Sequence, residues 1–179
     1  MGYDIQLVRP RPGQAIEDIA MADEDGPPSG PRDPAKEVVK QRVAKALVAA
    51  DPALKSFAFG YAEIARIRSI SIEQAEREHR DVELNDETTG LQIMLSDDGA
   101  GVSVPYWHSG PEGDDVLRRM LACVRIIARE TGFVAFDPQV GEVIDPDVEL
   151  ARMVATHARM VDHVREMKRG AARPWWKFW

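Results

Sequence analysis

The chain has 179 residues, of which 44% are hydrophobic, and this is enough to form a sizeable core without disulfides or metals. Its one cysteine, Cys123, excludes an internal disulfide framework and suits a reducing compartment. No apolar run could cross a membrane, and the start of the sequence, Met1-Gly2-Tyr3-Asp4, has no basic region followed by an apolar stretch as in a secretory signal, so we expect a cytoplasmic protein.

The net charge of −7 is unevenly distributed. Residues 165–179 contain five basic residues and one acidic residue, which leaves −11 for the remainder of the chain. An acidic body disfavours nucleic acid and suits a basic protein partner, although a solvated acidic surface is the simpler interpretation.

The first third of the chain predicts a strand, a loop and a helix. Tyr3–Val8 is expected to be a strand that ends at two prolines. Residues 13–33, acidic and rich in proline and glycine, are expected to be a flexible loop, or alternatively an acidic contact segment for a basic partner. Asp33-Pro34 predicts the capped start of a helix that Asp51-Pro52 breaks.

Two shorter helices and a strand are predicted next. Residues 57–68 fit a helix, although Phe57, Phe59 and Tyr61 also alternate as they would in a strand. Ser71 and Gln74 form a capping-box pattern for a helix that ends near His79. A strand over 82–84 and a loop over 85–90 follow.

Residues 90–145 predict a hairpin, a helix and a second hairpin. Leu91, Ile93 and Leu95 alternate with more polar residues, and Asp98-Gly99 and Gly101 predict a turn with positive φ. An apolar stripe from Val116 to Ala128 predicts a helix that ends at Gly132. The turn residues 137–141 mark the second hairpin.

A long helix over 147–168, ended by Gly170, completes the pattern. Together these elements predict an α+β fold: a small, mostly antiparallel sheet with helices packed on one face. We expect a single domain over residues 1–168 and a basic, aromatic tail over residues 169–179.

No pattern of a metal site or a catalytic site is present. The four histidines lack metal-ligand spacing, and Cys123 lies on the apolar stripe of a predicted helix. Nucleophile, phosphate-loop and dinucleotide motifs are also missing. We therefore expect a protein without a cofactor that is not an enzyme.

Three groups of residues are candidates for binding a partner. Tyr106, Trp107 and His108 follow a predicted strand, where their rings could bind a partner or cap the core. At the second hairpin, Asp137 suits a turn, whereas Gln139 has no turn-specific reason to be there. The tail contains Trp175 and Trp176, which could fold back on the protein, enter a partner's groove or touch a membrane surface.

Several short segments resemble a family of small, uncharacterised bacterial proteins with a Tyr/Phe-Asp-Pro-Gln hairpin. They comprise residues 62–66, 82–85, 90–93, 104–108 and 130–133, together with Phe136-Asp137-Pro138-Gln139 itself. In size and acidity the chain is also similar to immunity proteins, which protect bacteria against antibacterial toxins. Neither resemblance implies catalytic residues.

The immunity resemblance implies a cytoplasmic protein that binds and neutralises a basic toxin domain. An adaptor or secretion-accessory protein that uses its aromatic tail is the first alternative, and a hydrolase with an unfamiliar site is the second.

Overall fold

The structure, a computed structural model, describes residues 2–22 and 32–171, with side chains up to Glu166. The described residues form an α+β fold with six helices and one seven-stranded antiparallel sheet, which confirms the predicted fold class. The strands are β1 (Gly2–Val8), β2 (Lys55–Phe57), β3 (Val82–Asp86), β4 (Leu91–Leu95), β5 (Gly99–Pro105), β6 (Val134–Asp137) and β7 (Glu142–Val143). The helices are α1 (Ile16–Ala20), α2 (Pro34–Ala50), α3 (Tyr61–Arg68), α4 (Ile72–Glu78), α5 (Gly110–Thr131) and α6 (Leu150–Ala171).

The sheet order is β2-β3-β4-β5-β1-β6-β7, so the first strand of the chain lies near the middle. Tyr3 pairs with Val104 and Gln6 pairs with both Gly101 and Phe136. Because alternate residues of a strand point to opposite faces, Tyr3, Ile5 and Leu7 all point to one face, where they are buried. Strands β3, β4 and β5 add further buried side chains, and helices α2, α5 and α6 pack against them.

Local signals placed most helix ends correctly. The Asp33 side chain accepts a hydrogen bond from the Ala35 amide at 2.9 Å, and Pro34 begins α2. Ser71 caps α4 by accepting from the Gln74 amide at 3.1 Å. The Gln74 side chain, however, donates to Glu78, so the reciprocal half of the capping box is absent.

Other expectations need correction. The segment 13–33 was expected to be a loop, but Ile19 is buried and α1 forms within it. Phe57 lies in strand β2, and the helix begins only at Tyr61. The first hairpin turns at Ser96–Gly99 without positive φ at Gly99 or Gly101, because both glycines belong to β5. Helix α6 begins at Leu150 and runs past Gly170 to Ala171.

Residues 23–31 and the tail residues 172–179, including Trp175 and Trp176, lie outside the described part of the chain. Among the helices that the structure describes, none is long and apolar enough to span a membrane.

Candidate binding surface

Tyr106, Asp137 and Gln139, predicted to bind a partner, come together at one end of the sheet. Asp137 is 1% exposed and accepts a 2.5 Å hydrogen bond from the hydroxyl of Tyr3, which is also buried. Burial raises the pKa of the Tyr3 hydroxyl far above its usual value, and the hydrogen bond to Asp137 adds to the effect. Tyr3 therefore stays protonated near neutral pH and is a structural donor, not an acid or a base.

Gln139 secures the tip of the second hairpin. With its side-chain nitrogen turned toward its acceptors, it donates to Asp137 Oδ1 at 3.0 Å and to the Asp4 carbonyl at 2.8 Å. Its backbone amide also donates to Asp137 at 2.9 Å. The carboxylate of Asp137 is enclosed by hydrogen bonds from its own chain, and its predicted contact with a partner stays a prediction.

The side chain of His108 is also buried, and both of its ring nitrogens lie close to groups of the same chain. Its Nε2 lies 2.6 Å from the Thr89 carbonyl, and its Nδ1 lies 3.1 Å from Glu112. Tyr106 is 7% exposed, and its ring packs against His157. Both residues are buried at the end of the core, which agrees with the alternative that their rings cap the core, and their contact with a partner stays a prediction.

Trp107 differs from its neighbours because 67% of its surface is exposed. Its ring lies over Gly90, where an added Cβ would come within 2.9 Å of Trp107 Cζ2. Gly90 also has a φ of +70°, so both conformation and space require glycine there. Of the sequence-predicted residues that the structure describes, Trp107 is the one most accessible to a partner.

A partly buried ionic network lies beside this end of the sheet. Arg119 donates to Asp86 and Asp51, each at 2.8 Å, and Thr89 also donates to Asp86. Burial by itself would raise the pKa of Asp86, but hydrogen bonds from Thr89 and Arg119 outweigh it and lower the pKa to about 2. The network ties α2 and α5 to the turn between β3 and β4.

The more accessible surface is the sheet face opposite α2, α5 and α6, which we call the open face. Strand register places one row across it from Glu83 through Met94 and Gly101 to Gln6, and a second row from Asn85 through Gln92 and Ser103 to Asp4. Met94 is 46% exposed and Gln92 is exposed as well. Helix α1 covers the corner near β1 and β6, as its contacts show.

Carboxylates are the main charged groups on the open face. Glu83 accepts from Asn85 and Gln92, both at 2.8 Å, which fixes its orientation. Asp4 stands on the second row, and Asp81 lines a cavity of about 220 Å³ with Met94. Burial raises the pKa of both aspartates, and at Asp81 it outweighs the opposite effect of nearby Lys40 and Arg80.

The open face has few cations to balance these carboxylates. None of the outward-facing side chains of β1, β3, β4 and β5 is cationic. Lys55 lies at the β2 edge, where its Nζ donates to the Pro52 carbonyl, and Arg11 lies at the α1 corner. The sequence contained the alternation that creates this face, but the strand order that joins the rows could not be read from it.

An aromatic group borders the open face at its β2 edge. Phe57 pairs in register with Glu83 and is 50% exposed. Its ring meets Phe59 edge-on at 5.3 Å, and Phe59 stacks on Tyr61. The alternation of these three rings was the sequence signal for this edge, and the preference for a helix hid it.

Metal ligands and the cysteine thiol are the remaining groups of the described chain that could carry chemistry. Within residues 2–22 and 32–171, no three His, Cys, Asp or Glu side chains are grouped so that they could hold a metal ion. Burial raises the pKa of Cys123 to about 12, so its thiol is not a nucleophile near neutral pH. No family model, curated protein or solved structure matches the chain.

Proposed function

We propose that this protein is a non-enzymatic, cytoplasmic binding protein of the immunity type, which neutralises a basic toxin domain by covering it with the open face. The observation that carries the proposal is the pair Asp4 and Asp81, two partly buried carboxylates whose pKa burial raises by more than the nearby positive charges lower it. A lysine or arginine of a partner would relieve their desolvation. Such charges also increase the rate at which an oppositely charged protein associates.

Two exposed apolar side chains, one on the open face and one at its border, can serve as anchor residues for a partner. Met94 and Phe57 are large, exposed and in register with the fixed carboxylate of Glu83. Interface energy is usually concentrated in a few such side chains surrounded by polar groups. Four strands about 4.8 Å apart span less than 20 Å. The interface must therefore extend beyond the sheet to reach the roughly 800 Å² per partner of a stable complex.

Nucleic acid fits this surface poorly. Proteins that bind RNA on an open sheet use basic and aromatic side chains there, because phosphates dominate the affinity. The outward side chains of β1, β3, β4 and β5 are acidic or neutral. This distribution favours a basic protein over a polyanion.

The test begins with affinity purification from the native host and identification of a basic partner by mass spectrometry. Association rates are then measured by stopped flow for Asp81→Asn/Glu83→Gln. The control is Asp115→Asn/Asp147→Asn, which removes the same charge from exposed positions, one in α5 and one in the turn before α6. We expect the open-face variant to associate about tenfold more slowly and the control to be nearly unchanged.

Equal slowing in both variants would show that only net charge matters and would contradict docking on the open face. A captured partner that the purified protein does not inhibit would contradict the immunity function itself.

A further inference from the structure

A second cavity lies away from the open face, between the first turns of α5 and the middle of α6. It has a volume of about 160 Å³, and its walls include Ser109, which precedes α5, Gly110 and Gly113 from α5, and His157 from α6. A water molecule occupies about 30 Å³ in the liquid, so the cavity has room for a tetrahedral oxyanion. Three features of its walls indicate which ligand it would take.

The first feature is an unpartnered ring nitrogen. His157 is 3% exposed, and its Nε2 is buried without a hydrogen-bond partner in the described chain. The Pro105 carbonyl accepts a hydrogen bond from the ring, which leaves Nδ1 as the donating nitrogen. Burial lowers the pKa of His157, so the ring is neutral near pH 7 and Nε2 carries a lone pair. A buried lone pair of this kind calls for a ligand that donates a hydrogen bond.

The second feature is positive potential at the N-terminus of α5. Ser109 precedes the 22-residue helix without capping it through its side chain. Its hydroxyl instead lies 2.8 Å from Arg165 Nη2, which holds the guanidinium beside the cavity. The first amides of a helix lack intrahelical partners and carry the positive end of its dipole, which suits an oxyanion. Pro111 has no amide hydrogen, so the free donors in the first turn of α5 are the amides of Gly110 and Glu112.

The third feature is a pair of carboxylates, Asp114 and Asp162, which also line the cavity. Ionised carboxylates only accept hydrogen bonds, and they repel an anion that has no proton to donate. Together with His157 Nε2 they require a ligand that combines accepting oxygens with an O–H donor.

We propose that this cavity binds a protonated phosphoryl group, as inorganic phosphate or a phosphate monoester. Its P–O oxygens accept from the α5 amides and Arg165, while its P–OH donates to His157 Nε2. Sulfate has the same shape but no proton near neutral pH, so it satisfies only half of the site. The site is separate from the open face and independent of the proposed function.

The test titrates the full chain with sodium phosphate or sodium sulfate at matched ionic strength. Melting temperature and the assigned ¹⁵N resonances of His157 are followed together. We expect phosphate to raise the melting temperature and to shift the Nε2 resonance, since a ligand that binds the folded state stabilises it. Sulfate should bind at least tenfold more weakly. Phenyl phosphate then distinguishes the two candidate ligands. If phenyl phosphate binds, the ligand is a phosphate monoester, and if it is excluded, the ligand is inorganic phosphate.

Gly113→Ala provides the blocking variant. A Cβ there would lie 3.4 Å from the His108 carbonyl carbon and 3.7 Å from His157 Cε1, which are ordinary contacts, so the variant should fold. It narrows the cavity and should weaken phosphate binding more than tenfold. Arg165→Ala should weaken binding several-fold. Arg159→Ala, a matched control whose guanidinium bonds Thr156, should not.

Equal binding of sulfate and phosphate would overturn the proposal, as would a rise in melting temperature without a His157 shift. Unchanged phosphate affinity in Gly113→Ala and Arg165→Ala, or no binding of phosphate at all, would overturn it as well.

Discussion

The Tyr3 hydroxyl and Asp137 Oδ2 are 2.5 Å apart, although 134 positions separate the two residues in sequence. Both side chains are buried, and Gln139 supplies further donors to the same carboxylate. The bond therefore joins the start of β1 to the end of β6, beyond the point where their backbones pair. The bond thereby fixes the second hairpin to β1, a strand near the middle of the sheet.

We predict that Tyr3→Phe lowers the free energy of unfolding by about 1.5–3 kcal/mol, the usual contribution of a hydrogen bond to a charged group. The ring would still fill its place in the core, so the cost reflects the carboxylate left with fewer donors. Denaturant unfolding measures the change. Tyr61→Phe is the matched control, because its hydroxyl makes only a 3.3 Å bond to the His79 carbonyl. A cost no greater than that of the control would contradict the role of the bond.

Alkaline pH should destabilise the protein through its buried tyrosines. Burial raises the pKa of Tyr3 above its ordinary value and that of Tyr106 to about 12. Unfolded tyrosines lose their proton above about pH 10, while these two keep theirs in the folded state. Their contribution to stability is therefore complete below pH 10 and lost as pH rises through the folded-state values. Chemical denaturation measures the free energy of unfolding from pH 8 to 11.5. This free energy should decline less steeply with pH in Tyr3→Phe than in the wild type, and equal slopes would refute the prediction.

Acid should weaken the network of Arg119 and Asp86. Because the pKa of Asp86 is lowered to about 2, its stabilising contribution is present above its unfolded value near 4. That contribution is lost as pH falls through about 2. Asp86→Asn should lower stability by about 1–3 kcal/mol at pH 7 and flatten the acid limb of the unfolding curve. A mutant as acid-sensitive as the wild type would show that other carboxylates dominate.

The contribution of Asp81 to stability should change with pH in the opposite direction from that of Asp86. Its pKa is raised by burial, so the charged form is disfavoured in the folded state, and the contribution to stability present at low pH is lost as pH rises. Asp81→Asn should therefore be slightly more stable than the wild type at pH 7, with no gain below about pH 3. Thermal melts at both pH values test this. If stability falls at pH 7, Lys40 and Arg80 outweigh the desolvation of the Asp81 charge, and the argument that a partner's cation would relieve this desolvation fails.

Short-range signals in the sequence were sufficient for many elements. The aspartate and proline at 33–34, the serine at 71 and the glycine at 132 marked helix ends, because caps and left-handed residues act over a few positions. The helical period of the apolar stripe predicted α5, and the alternation of apolar and more polar residues predicted β4 and β5. Phe57 was misassigned, since three alternating aromatics fit a strand only if a neighbour such as β3 is there to pair with them.

For the candidate site the sequence was less informative. It singled out Tyr106, His108 and Asp137 as polar or aromatic groups near loops, but it could not show that each would be buried. It did not indicate the open face, because Asp4 and Asp81 lie far apart in the chain and look like ordinary surface acids.

The sequence by itself determined the α+β class, the positions of most helices and strands, and an acidic body with Cys123 in an apolar helix. These follow from composition and from patterns within one or two turns of chain. Only the tertiary structure decided the strand order, the face left open and the pairing of Tyr3 with Asp137. Burial and ionisation depend on which distant segments pack together, and that choice is made by contacts between residues more than a hundred positions apart.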